Sequence, residues 1–171
     1  MKILFVQTGG TIDKDYPHTT KGWAFEIGDE PAFERSIAKL NPSFQYECVT
    51  AMKKDSLEIT DEDRAGLVGC IASKPDYDKV VITHGTDTMP ETANYLNLAL
   101  KIPALKKKTI VITGAMRPER FSNSDADIHL GMAIAAVQLA TPGVYLAMHG
   151  LVIPHDKIDR NMETGQYQIA D

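Results

Sequence analysis

The chain has 171 residues, a formal net charge of −5, 43% hydrophobic and 24% charged residues, enough for one compact domain and unlike a disordered chain. A mildly acidic chain without a long basic run argues against a nucleic-acid partner, and no apolar run approaches the roughly 20 residues that span a bilayer. The first apolar run, Ile3-Leu4-Phe5-Val6, is too short for a signal peptide and no cleavage site follows it, so the expected location is the cytoplasm.

Residues 3–7 read as a buried strand that runs into Gly9-Gly10. Residues 13–28 are polar and mixed, with Pro17, Gly22 and Gly28, and read as a long loop or small hairpin of the kind that often serves as a lid. Asp29 is the expected N-cap of a helix entered at Pro31, with Phe33, Ile37 and Leu40 on its inner face. Phe44 to Ala51 alternates as a strand, and Thr60 with Asp63 predicts a capping box, Asp replacing the usual Glu, before a helix through Leu67 and Ile71. Residues 80–83 form a buried strand, 90–100 a helix, 110–113 another buried strand, and 125–140 an apolar helix broken by Pro142-Gly143. Val144 to Met148 is a further strand; the tail from Lys157 is polar, with one last short strand over Tyr167 to Ala170. Cys48 falls in a strand and Cys70 in a helix, without metal-ligand spacing, and both read as buried free thiols.

Continuous apolar strands alternating with helices imply a single α/β domain with a largely parallel sheet flanked by helices on both faces. Ligands of such sheets bind beyond the carboxyl ends of the strands. The candidate site therefore lies at 8–11, 83–88, 113–117 and 148–150. Those segments hold Thr8-Gly9-Gly10-Thr11, Thr83-His84-Gly85-Thr86-Asp87-Thr88 and Thr113-Gly114-Ala115-Met116-Arg117-Pro118. Hydroxyls beside glycines suit carbonyl chemistry: glycine lets backbone N–H groups approach a ligand, and a threonine attacks a carbonyl once a base takes its proton. Taken alone, each motif is also compatible with a tight turn, and Thr-Gly-Gly-Thr with a phosphate cradle, although the lysine-serine ending of a P-loop is missing. His84 reads as a packing residue at a strand end. Arg117 is expected to anchor its loop by a salt bridge, and Asp125 and Asp127 to cap the next helix. His149 and His155 lack a third ligand at recognisable spacing, so no metal site is expected.

Thr8-Gly9-Gly10-Thr11-Ile12, His84-Gly85-Thr86-Asp87-Thr88-Met89 with Pro90-Glu91-Thr92, and Gly114-Ala115-Met116-Arg117-Pro118 with Ser124-Asp125 resemble, in order and spacing, three segments of the bacterial-type L-asparaginase family. The resemblance covers essentially the whole chain and implies an asparaginase N-terminal-domain-like fold over residues 1–171 without a C-terminal domain. It implies hydrolysis of L-asparagine to aspartate and ammonia through a threonine-linked acyl-enzyme, without metal or organic cofactor. By position, Thr11 is the nucleophile, and Thr86 and Asp87 belong to a second Thr-Asp-Lys constellation. Asp87 also binds the substrate ammonium group, Ser56 holds its carboxylate, and Gly10 and Gly85 supply backbone at the site. Tyr16 is the candidate lid tyrosine, with Phe25 the alternative alignment. A homo-oligomer, dimer or tetramer, is implied.

The chain departs from the family pattern at two positions. Arg160 falls where the family has its catalytic lysine, and an arginine does not act as a base; Lys157 is the nearest lysine. Leu57 follows Ser56 where a polar residue is common, which leaves glutamine or another amide open as substrate. A non-catalytic amino-acid-binding module is the reading that Arg160 motivates.

Overall fold

The computed structural model describes residues 1–16 and 25–170. In chain order it contains β1 (Lys2–Gly9), β2 (Lys14–Asp15), β3 (Glu26–Ile27), α1 (Ala32–Leu40), β4 (Gln45–Lys54), α2 (Asp61–Ala72) and β5 (Lys79–Thr83). There follow α3 (Met89–Ala99), β6 (Thr109–Thr113), α4 (Ala126–Leu139), β7 (Gly143–Met148), β8 (Leu151–Pro154), β9 (Ile158–Arg160) and β10 (Tyr167–Ile169). The central sheet has the order β4-β1-β5-β6-β7-β8, parallel throughout except for β8, which runs back along β7. Antiparallel pairs β2-β3 and β9-β10 stand outside it.

The strands read as unbroken apolar runs because both faces of the sheet are covered. Successive side chains point to opposite faces. Leu4, Val6, Val80, Ile82, Ile110 and Ile112 accordingly pack in one core with Leu67 and Ile71 of α2 and Leu96 of α3. Ile3, Phe5, Val81 and Val111 pack in the other, with Phe33 and Ile37 of α1 and Leu130 and Val137 of α4. Cys48 lies against the second core and Cys70 against the first; both are free and half-buried, on opposite sides of the sheet. From β1 the chain leaves toward β4 and from β5 toward β6, so the order reverses between β1 and β5, and the crevice of an open α/β sheet opens at such a switch point. Among the described residues no helix is long and apolar enough to cross a membrane.

Several local expectations are corrected. Asp29 does not cap α1: the cap position is Pro31, and the Ala32 N–H donates instead to Asp13 Oδ1 at 2.7 Å, a partner supplied from 19 positions away. Leu40 ends that helix exposed, because α1 turns out of its groove at a left-handed Asn41. Asp125 stands at the N-cap position of α4, but neither its side chain nor that of Asp127 caps the helix. The Asp125 carboxylate accepts the Met116 and Arg117 N–H groups, while Asp127 takes the Ser36 hydroxyl and Lys39. Arg117 anchors its loop by donating to the Asn123 carbonyl at 3.2 Å, not by a salt bridge. The 13–28 segment closes as the β2-β3 pair at its base, with Pro17 and Gly22 outside the described residues. The β4 strand runs on to Lys54, and β8 and β9 form in a stretch whose short, mixed sequence carries no alternation to mark them.

The capping box of α2 is present: the Asp63 N–H donates to Thr60 Oγ1 at 3.3 Å and the Thr60 N–H to Asp63 Oδ2 at 2.9 Å. Lys54 also grips Asp63 at 2.8 Å, and together these hold its carboxyl down at about 2. His84 packs as a structural residue, fully buried, with Nδ1 donating to the Gly85 carbonyl and Nε2 meeting the Thr92 hydroxyl at 2.9 Å. Burial, aided by the charge of Arg64, outweighs the Gly85 bond and lowers its pKa from 6.5 to about 4.

Two outcomes follow for stability. Thr60→Ala removes one half of the box and is expected to cost about 1 kcal/mol, read as a lower midpoint in urea at unchanged slope. For His84, the unfolded ring takes up a proton near 6.5 and the folded ring only near 4, so between those values the unfolded state binds more protons. Its contribution to stability is complete above 6.5 and is lost as pH falls toward 4. Urea unfolding at several pH values should show a shallower loss across that window in His84→Gln than in wild type.

Candidate active site

Three loops meet at the switch point through two glycines and one serine. Beyond β1, Gly10 holds φ at 86°, and a Cβ on it would lie 2.3 Å from both Cα and N of Gly85, the residue two beyond the end of β5. A Cβ on Gly85 would in turn lie 2.7 Å from Oγ of Ser56, which follows β4. Only residues without a Cβ allow that approach, and only glycine holds that φ without strain. Ser56 is set by a short turn, Ser56–Glu58, that Asp55 caps by accepting the Leu57 N–H. The Gly10 N–H donates to the Lys54 carbonyl at 3.0 Å, which joins the first loop to the third. Gly10, Gly85 and Ser56 thus form one contiguous row.

Thr86 and Asp87 continue this row. The Asp87 N–H donates to Ser56 Oγ at 3.2 Å, and Thr88 Oγ1 donates to the Ser56 carbonyl at 2.8 Å. Arg160, on β9, reaches Asp87: Nη1 lies 3.0 Å from Oδ1 while Nε donates to the Gly165 carbonyl. Lys157 lies exposed in the turn before β9, and Arg160 is the residue that meets Asp87. A guanidinium there supplies a fixed positive charge rather than an exchangeable proton. Leu57 is exposed.

Thr11 opens the turn Thr11–Asp13, and its hydroxyl makes no hydrogen bond within the described residues. That turn is held by Asp13, a residue for which the sequence gives no signal beyond its place two positions after Thr11. Its N–H donates to the Gly10 carbonyl, its carbonyl accepts from the Gly28 N–H, and its carboxylate takes the Ala32 N–H. Burial outweighs that bond and raises the carboxyl from 3.8 to about 6. Lys14 Nζ donates to Asp55 Oδ2 at 2.8 Å, tying the chain after Thr11 to the chain before Ser56 and holding the Asp55 pKa down.

Tyr16 and Phe25, the two candidates for the lid position, are stacked on each other with ring centroids 4.4 Å apart, and Phe25 lies 6.0 Å from Phe121. Both are partly exposed, and no hydrogen bond joins Tyr16 to Thr11 within the described residues. Residues 17–24, the body of the lid segment, lie outside the described residues. Among the described residues no group of three or more His, Cys, Asp or Glu is placed to hold a metal.

The contacts of Gly10 with Gly85 and of Gly85 with Ser56 thus bring together the loops that carry Thr11, Ser56, Thr86 and Asp87. Residues 2–165 match the family model described as asparaginase, N-terminal. The chain is 33% identical over 138 residues to the glutaminase-asparaginase of Acinetobacter glutaminasificans, covering 78% of this chain and 40% of that one. It is 30% identical over 148 residues to the L-asparaginase of Thermococcus kodakarensis, covering 86% of this chain and 44% of that one. The thermostable L-asparaginase structure from Thermococcus kodakarensis superposes with a TM-score of 0.81 at 25% identity, over 99% of this chain and 51% of that one. A probable cytoplasmic L-asparaginase from Campylobacter jejuni gives 0.76 at 28% identity, over 98% and 51%. The chain therefore spans about half the length of the relatives it matches or less, and within that span its motifs and fold agree with theirs: it belongs to the asparaginase family and carries the fold of that family's N-terminal domain.

Proposed function

We propose that the chain hydrolyses the side-chain amide of L-asparagine, with Thr11 as nucleophile. The observation that carries this reading is the contact of Gly10 with Gly85 and of Gly85 with Ser56, which brings the Thr11 turn beside Thr86 and Asp87. Thr11 Oγ attacks the amide carbon and gives up its proton, the C–N bond breaks, and ammonia leaves with that proton, so an aspartyl ester remains on Thr11. Water then attacks the ester carbon, the bond from that carbon to Thr11 Oγ breaks, one of the water's protons passes to Thr11 Oγ, and aspartate is released. Thr86 and Asp87 activate the attacking group, and Arg160 holds Asp87 as a carboxylate that faces the substrate ammonium group. Tyr16 is the proposed tyrosine that polarises Thr11. The oxyanion of each tetrahedral intermediate is met by backbone N–H groups of the glycine loops, the usual donors for such a charge. No metal or organic cofactor enters this scheme.

Two features favour a related amide as a second substrate. Leu57, exposed beside Ser56, offers no hydrogen bond to fix side-chain length, and two relatives, from Acinetobacter glutaminasificans and Pseudomonas fluorescens, bear the name glutaminase-asparaginase. The proposed assembly is a homo-oligomer, dimer or tetramer.

The deciding measurement is ammonia release from L-asparagine, with L-glutamine beside it, for wild type and Thr11→Ala. Wild type should turn over, and the variant should lose at least about a thousandfold in kcat with its melting temperature preserved. A folded Thr11→Ala that retains turnover removes Thr11 from the role; a folded wild type that binds L-aspartate but releases no ammonia from either amide makes the chain a binding module. Light scattering at working concentration should give at least twice the chain mass, and a monomer mass contradicts the assembly.

A further inference from the structure

The peptide group between Thr86 and Asp87 is held from both ends. Its N–H donates to Ser56 Oγ at 3.2 Å, and its carbonyl accepts from Tyr167 Oη at 2.5 Å. Tyr167 comes from β10, far along the chain, and is 2% exposed. Burial raises the pKa of its phenol, which therefore stays a donor. Its backbone is fixed in turn by a line of hydrogen bonds leading back to the sheet. The Tyr167 N–H donates to His149 Nδ1 at 3.0 Å, the His149 N–H donates to His129 Nε2 at 3.1 Å, and His129 Nδ1 donates to the Gly114 carbonyl at 3.0 Å. Gly114 follows β6, His129 lies on α4, and His149 follows β7 at a φ of 52°. A bulky residue adopts that left-handed angle only when its surroundings impose it, and here both its N–H and its ring are engaged. The Tyr167 ring also lies under the Arg160 guanidinium, 5.5 Å from centroid to Cζ.

We infer that Tyr167 is a positioning residue, clamping the Thr86–Asp87 peptide against Ser56 so that Thr86, Asp87 and Ser56 face the substrate in one fixed arrangement. The clamp has a chemical consequence at Ser56. Its oxygen accepts the Asp87 N–H, so its own O–H hydrogen is directed elsewhere and is free to donate to an anion such as a substrate carboxylate. A rotated peptide would take that N–H away and would swing the Asp87 carboxylate from the ammonium position at the same time. The β9-β10 pair thus acts on the site twice, with Arg160 on the Asp87 side chain and Tyr167 on the Asp87 peptide. The part of the inference that concerns substrate rests on the amidohydrolase reading; the clamp itself does not.

Tyr167→Phe isolates the bond, since the ring, its packing and its place under Arg160 remain. Two readouts are needed. The first is backbone amide exchange, which needs no substrate: Asp87 should exchange about tenfold faster in the variant while Val81 and Ile82 of β5 keep their wild-type rates. The second is steady-state ammonia release from L-asparagine: KM should rise about five- to tenfold, because Asp87 and Ser56 move together, with a smaller change in kcat. Unchanged exchange at Asp87 overturns the clamp. Exchange that rises equally across the sheet, or a loss confined to kcat, reduces Tyr167 to general support of the fold and overturns the positioning role. If wild type releases no ammonia from L-asparagine, the substrate reading fails, and the exchange comparison still decides the clamp.

Discussion

Everything at this site depends on one close approach: the backbone of Gly10 against the backbone of Gly85, and Gly85 against the side chain of Ser56. Parallel strands stand about 4.8 Å apart, so loops leaving neighbouring strands would ordinarily be spread by their own side chains. Here the β1 and β5 loops carry glycine at the point of contact, and a methyl group on either would lie under 3 Å from its neighbour. The loop after β4 closes the row, bonded to the first through Lys54 and to the second through Ser56. The proposed nucleophile and the proposed binding groups therefore share one rigid base rather than three separately mobile loops.

Charge is distributed around that base in two ways. On the open side, Asp87 is partly exposed and is held by Arg160, and Asp55 is held by Lys14; such pairs orient a carboxylate at a modest gain in stability. Beneath the nucleophile turn, Asp13 is buried and its Oδ2 has no partner within the described residues. Burying an acid that way is destabilising by itself. It is offset by what Asp13 joins: its main chain bonds Gly10 and Gly28, and its carboxylate takes the first N–H of α1.

Much of the molecule was legible in its sequence, for reasons of periodicity. The runs at 3–6, 80–82, 110–112 and 144–148 are continuously apolar, as strands buried on both faces are. Thr60 and Asp63 formed their box because capping is local and needs only residues three apart. The Thr-Gly-Gly-Thr and His-Gly-Thr-Asp segments fell at strand ends because the apolar runs stop there. The errors were of the opposite kind. Asp29 stands two residues before the cap position of α1 and Asp125 at that of α4, yet the Ala32 N–H went to Asp13, and the Asp125 carboxylate went to the loop before it. A cap is a competition among acceptors, and one brought in by tertiary folding leaves no mark near the helix.

The sequence by itself determined the class of fold, the strand ends at which chemistry collects, and the residue types gathered there, because strand burial, turn chemistry and glycine placement all act over a few residues. Only the tertiary structure decided which of those residues touch. That Arg160 rather than Lys157 meets Asp87, that the Asp13 carboxylate takes the first N–H of α1, and that Tyr167, its backbone held by a line of two histidines, bonds the Thr86 carbonyl are contacts between segments up to 81 positions apart. Their geometry is fixed by the strand order and by the two-residue alternation of the sheet, and neither is written in any single stretch of the chain.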